Sequence, residues 1–456
     1  MTQRFDAIIV GAGQAGPPLA GRLTAAGQTV AVIERKLVGG TCVNYGCIPT
    51  KTLIASAHAA HMARRGGDFG IVTAEVAVDM AAVKARKDRI AVGDRNGVES
   101  WLEGMDGATL IRGHARFTDP HTLRVDDELL SADRIFLNVG GRAVVPDLPG
   151  LDDVDYLTNV GILDLDVVPE HLVIVGGSYI ALEFAQMYRR FGAEVTVLEK
   201  GARLARREDP DVSAAIREIL EAEGVRIVVG ADDIRIGKRP NGVSVTPNAT
   251  GDPIEGTHLL VAVGRRPNTD DLGCDLAGVE TDDHGYVIVD DQLRTTAEHI
   301  WAMGDCNGRG AFTHTSYNDF EIVAANLLDD DPRRVSDRIS TYALYIDPPL
   351  GRAGLSVEEV RRSGRKAMVA TRPMTRVGRA VEKGKTRGFM KVVVDAETEQ
   401  ILGAAILGVG GDEVVHTILD VMTAGLPYTA ISRTMHIHPT VSELLPTLLQ
   451  DLQPLT

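Results

Sequence analysis

Apolar residues and glycines follow the same order in two segments of the chain. Residues 7–36 (AIIVGAGQAGPPLAGRLTAAGQTVAVIERK) run from a β-branched apolar stretch through a glycine-rich turn and a helix-like stretch to a second apolar run that ends in a glutamate. Residues 172–201 (LVIVGGSYIALEFAQMYRRFGAEVTVLEKG) repeat this order. The two segments share their register at an offset of 165 positions, in the pairs Gly11 and Gly176, Gly27 and Gly192, Glu34 and Glu199. The pattern predicts two β-α-β units, each of which opens an α/β layer.

The first glycine-rich turn has the spacing of a pyrophosphate-binding turn. Gly11, Gly13 and Gly16 follow a predicted strand and open a predicted helix. The first glycine permits a tight turn, the second lets the backbone approach a pyrophosphate, and the third lets helix and strand pack closely. Glu34 ends the second strand 23 residues after Gly11 and can bind a ribose diol. An ordinary turn is the alternative, but strand, helix and terminal acid together predict a dinucleotide site.

The second glycine-rich turn is a degenerate copy of the first. In GGSYIA (176–181), serine and alanine stand where the fingerprint has its second and third glycines. Read alone, this segment could be a simple strand-to-helix turn. The duplication and the matching position of Glu199 instead predict a second dinucleotide site, and two such sites imply electron transfer between two dinucleotides.

Three stretches that interrupt these patterns mark predicted domain crossings. They fall at about 141–170, near 263–268 and near 329–340. Beyond them, KVVVD, ILGAAILG and the helix-like HTILDVMTAG indicate an α+β unit. The predicted organisation is a discontinuous nucleotide domain, a second nucleotide domain inserted in it and a C-terminal α+β domain, with bounds 1–148 and 269–335, 149–268, and 336–456.

Composition excludes several classes of protein without naming a function. Of the 456 residues, 44% are hydrophobic and 24% charged, which is ordinary for a soluble globular protein. The net charge of −15 disfavours nucleic acid and anionic lipid as partners. No apolar run approaches the ~18 residues of a membrane span, and AIIV near the N-terminus is too short for a secretory signal. A cytoplasmic protein is therefore expected.

The segment GGTCVNYGCIPTK (39–51) carries two of the four cysteines of the chain. Cys42 and Cys47, separated by four residues on one predicted helix, are expected to share a face so that their sulfurs can meet. A disulfide there could accept an electron pair, and a helix N-terminus would favour a thiolate. A metal pair and two buried small residues are the alternatives. Cys274 and Cys306 are predicted to be packing residues.

Segment 39–51 resembles the redox-active segment of the flavin-dependent pyridine nucleotide–disulfide oxidoreductases, the family of glutathione reductase, dihydrolipoamide dehydrogenase and mercuric reductase. The resemblance covers essentially the whole chain. It extends to the second flavin motif (295–306), the helix that follows (312–328), the domain-crossing strands (137–150 and 261–268) and the start of the interface domain (345–356). It implies FAD and NAD(P)H as cofactors, two doubly wound, Rossmann-like dinucleotide-binding domains, and an α+β dimerisation domain.

The resemblance also assigns roles to individual residues. Cys42 is expected to be the interchange thiol that meets the substrate, and Cys47 the charge-transfer thiol beside the flavin. Lys51 is expected near the flavin N5, paired with Glu183, and Tyr179 is expected to be the gate over the nicotinamide pocket. The residues expected to bind FAD are Gly11, Gly13, Gly16, Glu34, Arg35, Gly40, Thr41, Lys51, Gly140, Gly304 and Asp305. Those expected to bind NAD(P) are Gly176, Ser178, Tyr179, Ile180, Glu183, Glu199, Gly264 and Arg265.

The C-terminal segment HPTVSE (438–443) is a candidate acid–base site. A histidine oriented by a carboxylate exchanges protons near neutral pH, although a surface histidine is the alternative from the residues alone. By the resemblance, His438 protonates the departing thiolate, and Glu443 orients the imidazole of His438. In the family this histidine comes from the other subunit, so the resemblance implies a homodimer. His436 falls outside the motif.

Members of the family differ in their electron acceptor, and this sequence has features of mercuric reductases as well as features of disulfide reductases. KTLIASAHAAHMARR (51–65) and REDPDVS (207–213) look most like mercuric reductase. However, no N-terminal metal-binding domain is visible, the terminal LLQDLQPLT has no cysteine pair, and mercuric reductases have no histidine where His438 stands. His58 and His61 are expected to lie on a solvated helix face, and no metal site is predicted.

The expected function is therefore an FAD-dependent NAD(P)H:disulfide oxidoreductase that acts on a small disulfide or a related thiol-reactive acceptor. The alternatives are a mercuric or other metal-ion reductase, a dihydrolipoamide dehydrogenase-type component, and a non-enzymatic flavin-bearing scaffold or redox sensor. Glu199 favours NADH as the donor. A basic cluster just after it could instead attract the 2′-phosphate of NADPH: Lys200, Arg203, Arg206 and Arg207.

Overall fold

A computed structural model describes residues 2–248 and 251–455 of the chain. Its helices are α1 Gly16–Ala25, α2 Gly40–Tyr45, α3 Cys47–Arg64, α4 Met80–Glu103, α5 Tyr179–Phe191, α6 Pro210–Ala222, α7 Thr313–Leu328, α8 Val357–Ser363, α9 Gly378–Glu382, α10 Gly411–Thr423, α11 Thr429–Ser432 and α12 Leu444–Gln450. Its strands are β1 Thr2–Val10, β2 Val30–Glu34, β3 Ala108–Arg112, β4 Ala115–Asp119, β5 Thr122–Val125, β6 Glu128–Leu137, β7 Gly141–Ala143, β8 His171–Val175, β9 Glu194–Glu199, β10 Arg226–Val229, β11 Arg235–Arg239, β12 Gly242–Thr246, β13 Ile254–Gly256, β14 His258–Val261, β15 Arg265–Pro267, β16 Ile300–Ala302, β17 Thr341–Leu344, β18 Leu350–Gly354, β19 Ala367–Pro373, β20 Phe389–Asp395, β21 Ile401–Leu407 and β22 Gln453–Pro454.

Backbone contacts group the chain into two units, each made of three segments. Unit 1 contains Met1–Leu53, Ala81–Val144 and Gly264–Arg338. Unit 2 contains Ile54–Met80, Val145–Val263 and Ile339–Thr456. Unit 2 thus holds most of the predicted inserted nucleotide domain together with the predicted C-terminal domain. The division into three domains remains a prediction.

Unit 1 is built on a seven-stranded mixed sheet. Its strand order is β3-β2-β1-β6-β5-β4, with β16 paired to β6. Strand β1 runs parallel to β2 and β6, whereas β4 and β5 form an antiparallel extension of β6. The continuous apolar runs at 7–10 and 30–33 are wholly buried, as expected for parallel strands that are covered on both faces.

The first β-α-β unit forms as the sequence predicts. Gly11 adopts φ +107°, and a Cβ there would stand 2.2 Å from the carbonyl oxygen of Asn138, so only glycine fits this turn. Helix α1 follows with prolines in its first turn, where their missing N–H groups cost little. Leu19 and Leu23 of α1 are fully buried in the core of unit 1. Gly27, at φ +81°, reverses the chain into β2.

Unit 2 contains the second copy of this arrangement. Strands β10-β9-β8-β14 form a parallel sheet, α5 connects β8 to β9, and β11-β12-β13 form a separate antiparallel sheet. Gly176 adopts φ +118°, and a Cβ there would stand 2.3 Å from the carbonyl oxygen of Ala262. This matches the relation of Gly11 to Asn138, so the duplication read from the sequence extends to the backbone geometry of the turn.

The C-terminal part of unit 2 is an antiparallel sheet with helices. The strand order is β17-β18-β21-β20-β19-β22, and β21 is buried along its whole length. The predicted segments KVVVD, ILGAAILG and HTILDVMTAG correspond to β20, β21 and α10, which confirms the α+β prediction. Within the described ranges, no helix combines the length and apolar character required to cross a membrane.

Candidate functional site

The two cysteines of segment 39–51 lie on consecutive helices, so the prediction of one shared helix is wrong. Helix α2 ends at Tyr45 and α3 begins at Cys47, because Gly46 adopts φ −137° and ψ −119°, outside the helical region. A Cβ on Gly46 would stand 2.9 Å from the carbonyl oxygen of Thr41. On one continuous helix, residues five positions apart would point roughly 140° apart. The break at Gly46 instead brings Cys42 into hydrogen-bonding contact with Cys47.

Both cysteines are free thiols, and their surroundings differ. The pKa of Cys42 is raised well above its usual range because its thiol donates a hydrogen bond to Cys47 and because it is largely buried. Cys42 therefore keeps its proton until a base removes it. Cys47 is exposed and begins α3, whose N-terminal amides favour a thiolate. Exposure alone would make Cys47 the sulfur that meets an acceptor, and the role of Cys42 as the interchange thiol remains a prediction.

Thr313 is a neighbour of the cysteine pair that was not singled out in the sequence. It is the first residue of α7, and its Oγ1 lies 3.4 Å from the Cys47 sulfur. The hydroxyl also acts to lower the pKa of Cys42, against the larger opposing effects. The available signal was its place at the start of segment 312–328, the helix that follows the second flavin motif.

The first glycine-rich turn packs directly on the start of the redox segment, within unit 1. A Cβ on Gly40 would stand 2.8 Å from the Cα of Gly13, so two side-chain-free backbones meet there. The N–H of Gly39 donates to the carbonyl of Ala12 at 2.9 Å. The result is a narrow cradle lined by backbone at the N-terminus of α1, which fits a pyrophosphate group. Gly16 adjoins it, with Thr41 following Gly40 in α2.

Glu34 is held where a ribose-binding carboxylate is required. It accepts hydrogen bonds from the backbone N–H groups of Ala12 at 2.9 Å and Lys36 at 2.8 Å. The carboxylate therefore lies beside the glycine-rich turn at the end of β2, and its geometry fits an adenosine ribose. The adjacent Arg35 instead forms an ion pair with Asp271 at 3.2 Å.

The second flavin motif is anchored by buried polar contacts in unit 1. The N–H of Gly304 donates to the buried Asp319 at 2.7 Å, and Asp305 pairs with Arg265 at 3.2 Å. Arg265 was predicted to bind NAD(P), yet it lies in unit 1 and contacts a residue predicted to bind FAD. Gly140 and Gly264 lie at the same crossing between β7 and β15, both with positive φ. The cofactor roles of these residues remain predictions.

In unit 2, Glu199 repeats the geometry of Glu34. Its two oxygens accept the backbone N–H groups of Gly177 at 2.7 Å and Gly201 at 2.6 Å. Ser178 and Ile180 are exposed beside this turn, as a nucleotide-binding surface requires. Glu199 is the carboxylate that a ribose diol would meet.

The basic cluster that follows Glu199 is only partly free. Arg203 lies 3.2 Å from Glu358 and also donates to backbone carbonyls, so its guanidinium is engaged within unit 2. Arg206 and Arg207 are exposed. These two arginines and the exposed Lys200 are therefore better placed than Arg203 to attract a 2′-phosphate.

Two further predicted residues lie on α5. Glu183 is 5% exposed and accepts the backbone N–H of Tyr345 at 3.0 Å. Its pairing with Lys51 remains a prediction. Tyr179 begins the helix and donates its hydroxyl proton to Glu208, a buried residue that sequence reasoning missed. Glu208 belongs to the REDPDVS run, which was used only to compare branches of the family.

The predicted acid–base pair is present. His438 Nδ1 lies 2.8 Å from Glu443 Oε2, and the side chains are 82% and 16% exposed. The carboxylate is thus fixed by the protein while the imidazole projects into solvent. His436 is half-buried, and its Nδ1 lies 3.0 Å from the carbonyl oxygen of Thr434.

The structure corrects the prediction that His58 is solvated and agrees with the prediction that Cys274 and Cys306 are packing residues. His58 is not simply solvated: its Nδ1 lies 3.1 Å from the buried Asp347. Burial, followed by the charge of Arg190, lowers the pKa of His61 to about 4. Cys274 and Cys306 are buried, as predicted for packing residues. Across residues 2–248 and 251–455, no three His, Cys, Asp or Glu side chains are placed to hold a metal ion.

Comparison with known proteins gives matches along almost the whole chain. The family model of pyridine nucleotide-disulphide oxidoreductases matches residues 5–319, and the model of the dimerisation domain of that family matches residues 340–449. The chain is 38% identical to the probable pyridine nucleotide-disulfide oxidoreductase RclA of Escherichia coli strain K12, over 97% of this chain and 98% of that protein. It is 33% identical to the mercuric reductase of Streptomyces lividans, over 97% and 94% of the two chains. It is 32% identical to the dihydrolipoyl dehydrogenase of Geobacillus stearothermophilus, over 96% and 94%.

Solved structures show the same relationship. The HOCl-induced flavoprotein disulfide reductase RclA from Escherichia coli is 37% identical and superposes with a TM-score of 0.90, covering 98% of this chain and 99% of that chain. The Cu(II) complex of that protein has the same identity and TM-score, covering 97% and 99%. The fold and the order of its segments are therefore those of a flavoprotein disulfide reductase.

Proposed function

Because the chain belongs to the pyridine nucleotide-disulphide oxidoreductase family, we propose that it passes an electron pair from NADH through FAD to the Cys42–Cys47 pair and on to a low-molecular-weight disulfide. The family establishes an NAD(P)H-dependent flavoprotein disulfide oxidoreductase. The observation that carries the proposal is the contact between two free thiols at the start of α3. They lie in the same unit as the backbone cradle formed by Gly13 and Gly40.

The residues of unit 1 fit FAD. We assign its pyrophosphate to the turn Gly11–Gly16, its adenosine ribose to Glu34, and its ribityl chain to Asp305. When held by these residues, FAD would supply the two-electron chemistry that links the nicotinamide to the Cys42–Cys47 disulfide. In unit 2, the turn that begins at Gly176 and the carboxylate of Glu199 are the matching groups for the nicotinamide dinucleotide.

Exchange with the acceptor begins with removal of the proton from the Cys42 thiol. The imidazole of His438 removes this proton, and the Cys42 thiolate attacks one sulfur of the acceptor disulfide. The acceptor S–S bond breaks, and its departing thiolate takes that proton from the imidazolium of His438. The Cys47 thiolate then attacks Cys42 in the mixed disulfide, which restores the Cys42–Cys47 disulfide and releases the second acceptor sulfur as a thiolate that takes a proton from water. Glu443 keeps the imidazole oriented throughout.

The acid–base residue is proposed to act across a dimer. The match to the dimerisation domain covers residues 340–449, which include His438 and Glu443. We propose a homodimer in which His438 of the partner subunit serves the cysteine pair. The 82% exposure of the His438 side chain in the single chain leaves the imidazole accessible to a partner subunit.

NADH is expected to be preferred over NADPH by about tenfold in kcat/KM. Glu199 is fixed at the end of β9, so its charge repels a 2′-phosphate and its oxygens suit a ribose diol. The measurement is kcat/KM for both nucleotides in the native enzyme, in Glu199→Gln and in Glu194→Gln. Glu199→Gln is expected to narrow the ratio, whereas Glu194, an exposed residue at the start of the same strand, serves as the control. A native ratio in favour of NADPH would show that Arg206 and Arg207 dominate.

A small disulfide is expected to be reduced faster than Hg(II). Soft metal ions bind thiolate pairs tightly, and productive reduction requires passing the ion to another pair. Cys274 and Cys306 are buried, so the exchange-competent thiols of this chain are Cys42 and Cys47. The experiment is anaerobic NADH consumption with an aryl disulfide and with Hg(II), each compared with the Cys42→Ser variant as a blank.

A metal acceptor is the second candidate, because a solved relative is a Cu(II) complex. Cu(II) is therefore the third acceptor in the same experiment. Rapid and sustained NADH oxidation with Hg(II) or Cu(II), with no oxidation driven by the disulfide, would replace the disulfide proposal with a metal-ion reductase.

A further inference from the structure

A fully buried carboxylate holds the hydroxyl group of Tyr179. Glu208 has 0% exposure, and its Oε1 accepts hydrogen bonds from the phenols of Tyr179 and Tyr342, the latter at 2.7 Å. Its Oε2 lies 3.2 Å from Nε of Arg352, which is also buried. Two phenols therefore share one oxygen of a carboxylate whose charge is balanced by a guanidinium. Hydrogen bonds to an ionised acceptor are stronger than those between neutral groups.

The residue that follows Glu208 is fixed by contacts with the C-terminal part of unit 2. Oδ2 of this residue, Asp209, forms an ion pair with Nζ of the buried Lys391 at 2.7 Å. Asp209 also accepts the first backbone N–H groups of α8, from Val357 and Glu358, each at 3.2 Å. These contacts, all within unit 2, tie Glu208 to the C-terminal sheet. Glu208 is thus a rigid acceptor, and any movement at this site has to come from Tyr179.

Tyr179 is less deeply buried than Glu208. It is half-buried and is the first residue of α5, directly after the glycine-rich turn. Its ring lies 5.4 Å from that of Tyr342, at a tilt of 48°. Burial and the charge of Glu208 raise the pKa of Tyr179 above its usual range, so the phenol remains a hydrogen-bond donor. The hydrogen bond from this hydroxyl to Glu208 holds the Tyr179 ring in its present position and would be lost if the ring moved away.

We propose that Glu208 is a positioning residue that holds Tyr179 in the position it occupies before a nicotinamide nucleotide binds. This inference rests on the proposed role of Tyr179 as the gate of the nicotinamide pocket. Opening the gate then requires the Tyr179–Glu208 hydrogen bond to break. Because only the open form binds nucleotide, the apparent affinity is the affinity of the open form multiplied by the fraction of molecules that are open. The Tyr179–Glu208 hydrogen bond lowers that fraction.

Removal of this hydrogen bond is expected to tighten nucleotide binding. We expect Tyr179→Phe to lower the Kd of NAD⁺ about ten- to a hundredfold, the range given by one hydrogen bond to a charged group. NAD⁺ does not reduce the enzyme, so calorimetric titration of the oxidised holoenzyme reports binding without turnover. Glu208→Gln is expected to act in the same direction but less strongly, because a neutral amide oxygen is a weaker acceptor than a carboxylate. The double variant is expected to bind NAD⁺ no more tightly than Tyr179→Phe, because both changes act on the same bond.

Tyr342→Phe is the matched control. It removes the second phenol from the same oxygen but leaves the Tyr179 bond in place, so the Kd of NAD⁺ is expected to change by less than about twofold. If Glu208→Gln does not fold, Tyr179→Phe still decides the question, because it leaves Glu208 paired with Arg352 and Tyr342. A Kd in Tyr179→Phe equal to that of the native enzyme, or equal to that of Tyr342→Phe, would overturn the inference.

The Tyr179→Gly variant separates this inference from the proposed function. A changed Kd in Tyr179→Gly together with an unchanged Kd in Tyr179→Phe would keep Tyr179 as the gate and reject Glu208 as its anchor. Unchanged binding in both variants would reject the gate role and the anchor together.

Discussion

Replacement of Cys42 by serine is expected to reduce NADH-dependent disulfide reduction by a factor on the order of 10³ or more. The substitution removes the proposed nucleophile while leaving NADH able to reduce the flavin, because Cys42 takes no part in that step. The serine variant is also expected to keep the long-wavelength absorbance of a Cys47 thiolate beside oxidised flavin, or to show it without added reductant. The measurements are steady-state turnover and anaerobic absorbance spectra.

Cys47→Ser completes this test, since it is expected to abolish the long-wavelength absorbance. Cys274→Ala is the matched control: burial raises the pKa of the Cys274 thiol to about 11, so this sulfur is protected from exchange. If Cys42→Ser lacks the absorbance and Cys47→Ser retains it, the two sulfurs have the opposite roles.

Loss of His438 is expected to slow dithiol–disulfide exchange by a factor on the order of 10²–10⁴ while sparing reduction of the flavin by NADH. Exchange requires a base for the proton of Cys42 and an acid for the departing thiolate. Reduction of the flavin by NADH requires neither. Stopped-flow measurement of each half-reaction in His438→Gln distinguishes the two steps.

His436→Gln is the control for this substitution, because His436 lies two residues earlier and its Nδ1 contacts the backbone carbonyl of Thr434 at 3.0 Å. It is expected to leave both half-reactions within about twofold of the native enzyme. Equal slowing of both half-reactions in His438→Gln would mean that His438 has a structural role.

The parts of the molecule that the sequence predicts well are those set by short-range patterns. Gly11 and Gly176 are required by turns in which a side chain would collide with a carbonyl group, and they therefore mark both β-α-β units. The terminal glutamates Glu34 and Glu199 accept backbone N–H groups in the same way in each copy. The contact between His438 and Glu443 also follows from a separation of only five residues.

The parts that the sequence does not predict depend on backbone breaks and on contacts between distant segments. The helix across the cysteines is interrupted because Gly46 leaves the helical region, and a spacing argument that assumes one helix cannot detect this. Glu208 contacts Tyr179, Tyr342 and Arg352, which lie 29, 134 and 144 positions from it. Charged residues in REDPDVS are typical of an exposed helix start, so the burial of Glu208 and Asp209 is visible only in the three-dimensional structure.

The central claim is that electrons from NADH reach the acceptor through the Cys42–Cys47 pair. Anaerobic titration of the oxidised enzyme with NADH, followed by alkylation and mass spectrometry, measures this transfer directly. We expect NADH to convert one disulfide per chain into two thiols, with both alkyl groups found on Cys42 and Cys47 and none gained on Cys274 or Cys306. A flavin that becomes reduced while Cys42 and Cys47 remain joined as a disulfide would contradict the account.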